Sequence, residues 1–131
     1  MTQKWTKGFT YGLMLSDALS AISYWATIED ITSVKGLDSE NPEEKFPTAF
    51  KIRDLEGKEH TVDFAVLDKG FEKLVEETKR SGCDKADRYV LTFCIQWIGS
   101  QLMGDYLTVD YDAEILDMAI QYGLLDELVY G

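Results

Sequence analysis

Between Arg88 and Asp105 the chain carries no charged side chain. Residues 89–103 are apolar on almost every side of a helical wheel: Val90, Leu91, Phe93, Cys94, Ile95, Trp97, Ile98 and Leu102. Such a segment must be covered, so it predicts a central helix or one held in an oligomer interface. Its one polar stripe, Thr92, Gln96, Gly99 and Ser100, follows helical spacing without charge. The stripe suits either close backbone packing or a pocket wall that hydrogen-bonds a ligand. Asp84 is the expected N-cap of this helix, with Asp87 in its first turn.

The other elements arrange themselves around that helix. Residues 13–26 predict a first helix with Leu15, Ala18, Leu19, Ile22 and Ala26 on one face. Residues 28–34 alternate well enough for a strand, and 35–47, polar and holding both prolines, read as a mobile loop. Residues 48–54 and 59–65 predict a hairpin about the turn Leu55-Glu56-Gly57-Lys58. Residues 67–81 switch to a helical period, and Gly82 offers a stop. A last helix starts at Asp110 or Asp112 and runs to about Tyr122, with Gly123 ending it and Leu128-Val129-Tyr130 supplying a short strand. The expectation is a single α+β domain over 1–131, with about four helices, a small and mainly antiparallel sheet, and the apolar helix at its centre. A chain of 131 residues can bury a core of that kind without staples.

Charge bears on function more than on fold. The net charge is −11, and Arg88 is the last basic residue. The first 88 residues hold 17 acids against 13 bases; the remainder holds Asp105, Asp110, Asp112, Glu114, Asp117, Asp126 and Glu127 with no base at all. That balance argues against direct binding of nucleic acid, which needs a basic footprint. It suits either a solvated face or a surface for a basic partner, including a protein that itself grips nucleic acid. Asp110, Asp112, Asp117 and Tyr111 are the candidate partner-binding residues.

Catalytic equipment is absent from the sequence pattern. His60 is the single histidine, and Cys83 and Cys94 have neither zinc spacing nor a disulfide framework, so they read as free thiols. Gly8-Phe9-Thr10-Tyr11-Gly12 lacks the spacing of a phosphate loop. Asp110-Tyr111-Asp112-Ala113-Glu114 lacks the glycine and terminal Glu of a calcium loop, and helix capping accounts for the same acids. No cofactor and no metal is expected. The start of the sequence has no apolar stretch typical of a secretory signal, and no run is long enough for a membrane span, so the expectation is cytoplasmic. The aromatics Tyr24 and Trp25, the bases Lys51 and Arg53, and the polar Thr92 and Gln96 form an alternative set, for a pocket that holds a nucleotide.

Three segments resemble a group of small proteins encoded by bacteriophages and prophages. They are Leu19-Ser20-Ala21-Ile22-Ser23-Tyr24-Trp25, Ala49-Phe50-Lys51-Ile52-Arg53-Asp54 with the Phe71-containing helix, and Asp112-Ala113-Glu114 through Ile120-Gln121-Tyr122 to Val129-Tyr130-Gly131. The chain departs from the group at Ala21 and Ser23, where glycines are usual, and at Ala26, where a cysteine is common. The resemblance implies a non-enzymatic phage accessory protein that counters host defence by stoichiometric binding to a host protein. A sponge for a nucleotide immune signal, and a phage structural or regulatory protein that self-associates through the apolar helix, are the alternatives.

Overall fold

The structure, a computed structural model, describes residues 5–131. It is an α+β fold with helices α1 (Lys7–Ala21), α2 (Phe64–Ser81), α3 (Arg88–Met103) and α4 (Ala113–Leu125) and strands β1 (Ala26–Lys35), β2 (Lys45–Asp54) and β3 (Glu59–Asp63). The strands form one antiparallel sheet in the order β1-β2-β3. One hydrophobic core unites the elements, with Tyr11, Met14, Leu15, Trp25, Phe50, Ile52, Leu67, Phe71, Phe93, Leu116 and Ile120 buried in it.

Caps set the helix limits. The Thr6 side chain accepts from the Phe9 amide and starts α1 six residues before the expected position. Gly8 and Gly12 thus lie inside the helix, and Gly12 lets Phe46 of β2 approach closely. The helix ends at Ala21 rather than 26, because a tight turn returns the Trp25 and Ala26 amides to the Ile22 carbonyl and Ala26 enters β1. Asp63 caps α2 through the Val66 amide, which takes Phe64 and Ala65 out of the expected strand and into the helix. Asp87, not Asp84, caps α3 by accepting from the Tyr89 and Val90 amides.

The expected loop is shorter than 35–47, since Lys35 closes β1 and Lys45, Phe46 and Pro47 pair within β2. At its centre Asp38 accepts from the Glu40 amide and the Asn41 side chain, so the connection is held by its own hydrogen bonds. In the β2–β3 turn, Asp54 Oδ1 accepts from the Glu56 and Lys58 amides at 2.9 and 3.0 Å, and Gly57 takes a positive φ of 84°. The Asp54 Oδ2 and His60 Nε2 atoms lie 2.8 Å apart in a buried pair. That hydrogen bond, more than the backbone donors, holds the Asp54 carboxyl below its ordinary value.

Helices α2 and α4 meet backbone to backbone. A Cβ on Gly70 would stand 1.8 Å from the Ala119 carbonyl oxygen, and one on Gly123 would stand 2.3 Å from that of Val66. Gly123 therefore serves the crossing, and α4 continues to Leu125, where Asp126 supplies the left-handed cap at φ 62°. The segment after α4 is not a strand. Gln121, 1% exposed, accepts from the Val129 and Tyr130 amides through Oε1 and donates to the Tyr130 carbonyl through Nε2. One buried amide side chain supplies the hydrogen bonds that a neighbouring strand would have given.

Helix α3 departs from the sequence expectation in its surroundings. Phe93, Cys94, Trp97 and Ser100 face the core, where Phe93 and Trp97 meet Phe71 and the Trp97 Nε1 donates to the Tyr11 hydroxyl. Its opposite face is open: Ile95 is 64% exposed, Leu102 83% and Met103 76%. The apolar residues outnumber the positions one neighbouring surface can cover, so the helix packs at the periphery with one side only. Strand β1 is also peripheral. Its free edge and most of its side chains beyond Ile28 are exposed, and its ladder with β2 shifts register after Ile28 and after Thr32. Among the described residues no helix is long and apolar enough to cross a membrane.

Candidate functional site

A groove of about 520 Å³ lies between the first turns of α3 and α4. Arg88, Tyr89 and Thr92 line it from α3, and Asp110, Tyr111, Asp112 and Ile115 from the other wall. Local sequence places each of these. Capping by Asp87 opens α3 with Arg88 and Tyr89 at the surface. Gln96 Oε1 accepts from the Asp110 amide at 2.8 Å and ties the incoming segment to α3. Asp112 caps α4 through the Ile115 amide at 2.8 Å. The Tyr111 hydroxyl donates to Asp17 of α1 at 2.7 Å, and burial first, then that carboxylate, pushes its pKa up.

A smaller recess of about 160 Å³ shares Tyr89, Asp112 and Ile115 and adds Asp87, Glu114 and Met118. The rim of the two together carries Asp87, Asp110, Asp112 and Glu114 against Arg88 alone. Tyr89 stands open to solvent beside these carboxylates. A concave surface with several carboxylates and accessible aromatic rings suits a Lys or Arg side chain, by charge and by cation–π attraction.

Asp117 and the pair Tyr24 and Trp25 come together elsewhere. Asp117 Oδ1 accepts from the Trp25 Nε1 at 2.8 Å and from the Gln121 Nε2 at 2.9 Å, while Oδ2 accepts from the Tyr24 hydroxyl at 2.5 Å. Trp25 stacks on Tyr130 with ring centres 4.9 Å apart. Partial burial, then the hydrogen bond to Asp117, raises the Tyr24 pKa to about 12. This network joins the end of α1 to α4 and the C-terminal segment. Its donors occupy the Asp117 carboxylate, which therefore has a structural task.

The groove thus unites Asp110, Tyr111, Asp112 and Thr92, with Gln96 as its tether. Lys51 and Arg53 lie apart from it on exposed positions of β2. Arg53 is engaged by Glu29 at 2.6 Å, the Gly57 carbonyl at 2.8 Å and Glu59 at 3.5 Å, which leaves little of its charge for a phosphate. The residues of the nucleotide set are divided among three places. Arg88, Tyr89, Asp87 and Glu114 are groove residues that the sequence reading did not select; the Asp87 cap was the available signal for the first two. Among the described residues no group of three or more His, Cys, Asp or Glu is placed to hold a metal ion. Compared with protein-family models, curated proteins and solved structures, the chain matches none.

Proposed function

We propose that this protein is a non-enzymatic phage accessory protein of the host cytoplasm that binds and inhibits a basic host protein, such as a nucleic-acid-binding defence component. The observation that carries the reading is the groove between α3 and α4, rimmed by Asp87, Asp110, Asp112 and Glu114 with Tyr89 exposed beside them. A basic side chain that normally meets nucleic-acid phosphate would enter here, and the acidic remainder of the surface would steer its approach. The phage setting and the inhibitory outcome rest on the sequence resemblance.

Asp110 and Glu114 are the residues to perturb, because Asp87, Asp112 and Asp117 have capping or packing tasks. Wild type and D110K/E114K are used in parallel to capture proteins from host lysate at moderate salt. The expected result is a captured basic protein that competing DNA or RNA releases, with capture by the variant reduced by about tenfold or more. Equal capture by wild type and variant would overturn the electrostatic reading.

A further inference from the structure

We propose that the outer face of α3 is a dimer interface that packs against the same helix of a second copy of this chain. Leu91, Ile95, Ile98 and Leu102 follow one another at intervals of four, three and four residues along the side turned away from the core. This is the 3.5-residue period of a coiled-coil seam, the pattern with which one helix offers holes to the knobs of another. The core-facing residues Phe93, Trp97 and Ser100 lie across the helix from that seam. Two distinct apolar faces on one helix explain why its sequence is apolar nearly all round.

Charge favours a second copy on this face over any other face. Two chains of net charge −11 repel, but 89–103 holds no ionised side chain, so contact there brings no like charges together. An antiparallel arrangement about a two-fold axis, the commonest symmetry of homodimers, places each Arg88 beside the partner helix's C-terminal end. There the free carbonyls carry partial negative charge. Arg88 extends the seam seven residues before Ile95 and has no ion pair among the described residues.

Area agrees with this arrangement. Ile95, Ile98, Leu102 and Met103 are 64, 39, 83 and 76% exposed. Together they present about 500 Å², and the seam residue Leu91 with the neutral flanks Gly99 and Gln101 brings the face towards the ~800 Å² that each partner gives a standard interface. Gly99 has open space where its Cβ would be, so a second helix can approach closely at the middle of the seam.

Sedimentation equilibrium of the full chain, from low micromolar concentration to about 0.5 mM, tests this directly. Wild type should reach twice the monomer mass with a single dissociation constant. I95E/L102E should raise that constant at least about 100-fold with unchanged far-UV circular dichroism, since both positions are exposed. D110K/E114K, altered on the α4 side of the groove and at no residue of α3, should dimerise like wild type, which keeps this test separate from the binding function proposed above. A wild-type chain that stays monomeric throughout, or an I95E/L102E variant that is folded and still dimeric, overturns the assignment.

Discussion

Replacing Gly70 by alanine should destabilise the fold, although the same change usually stabilises a helix. In an unobstructed helix interior, Gly→Ala gains about 0.5–1 kcal/mol by reducing the entropy of the unfolded chain. At Gly70 the new Cβ would lie 1.8 Å from the Ala119 oxygen, 2.5 Å from its carbonyl carbon and 2.9 Å from its Cα, whereas real Cβ contacts essentially never fall under 3.0 Å. The obstacle is backbone, so no rotamer change relieves it. Helices α2 and α4 must instead part by about 1.2 Å along the crossing, and a gap of that size forfeits about half the dispersion energy of the contacts it opens. Leu67, Phe71, Leu74, Leu116 and Ile120 are buried around this crossing. Overpacking penalties of about 1–3 kcal/mol are usual when side chains can yield, and a rigid obstacle puts the net cost at about 3 kcal/mol or more. For a domain of this size that lowers the melting temperature by about 10 °C. Urea unfolding followed by tryptophan fluorescence measures the difference, with Gly99→Ala as the internal comparison. Gly99 has nothing within 4 Å of the added Cβ, so G99A in dilute solution should gain up to about 1 kcal/mol. A G70A midpoint equal to or above that of wild type would refute the backbone-contact account of the α2–α4 crossing.

Gln121→Ala removes four hydrogen bonds from a buried position and leaves the Asp117 carboxylate short of one donor; the expected cost is about 2–4 kcal/mol, with faster hydrogen exchange at the Val129 and Tyr130 amides. Exchange at those amides unchanged from wild type would refute the clamp. Tyr24 sets an alkaline limit. Its pKa is about 12 in the folded chain against 10.0 ordinarily, so its contribution to stability is present below pH 10.0 and is lost as pH rises towards 12. Asp117→Asn should lower the Tyr24 pKa and weaken this dependence, as read by phenolate absorbance during alkaline titration.

Periodicity made the elements legible; close tertiary contacts decided their ends. The sheet, its antiparallel order and all four helices follow from alternation and three-to-four spacing. The misplaced limits have particular causes. Gly8 and Gly12 look like loop residues until Thr6 is found capping the helix ahead of both and Phe46 is found close against Gly12. Gly123 looks like a stop until Val66 is found against it. Asp84 and Asp87 are equally plausible caps in one dimension, and only the folded chain shows which carboxylate meets the Tyr89 amide. Leu128-Val129-Tyr130 is strand-like in composition, and the source of its hydrogen bonds, a glutamine side chain, has no signature in sequence. Of the candidate site, the acids at 110 and 112 were legible from the asymmetry of charge. The opposite wall was not, because Arg88 and Tyr89 gain their role only through the way α3 docks beside α4.

The uncovered edge of β1 has a consequence for how the protein behaves when crowded. An edge strand of ten residues offers a row of unpaired amides and carbonyls on which another chain could extend the sheet and seed fibrils. Among the described residues no strand pairs with it, and its side chains from Glu29 to Lys35 are exposed. Asp30 and the Arg53-paired Glu29 put exposed charge on this strand, and the register shifts after Ile28 and Thr32 distort the template. Concentrated salt would screen those carboxylates while leaving the strand in place. Colloidal stability at this edge therefore depends on the net charge of the whole chain, and storage near the pI of about 4.4, where that charge vanishes, is where ordered aggregation should start.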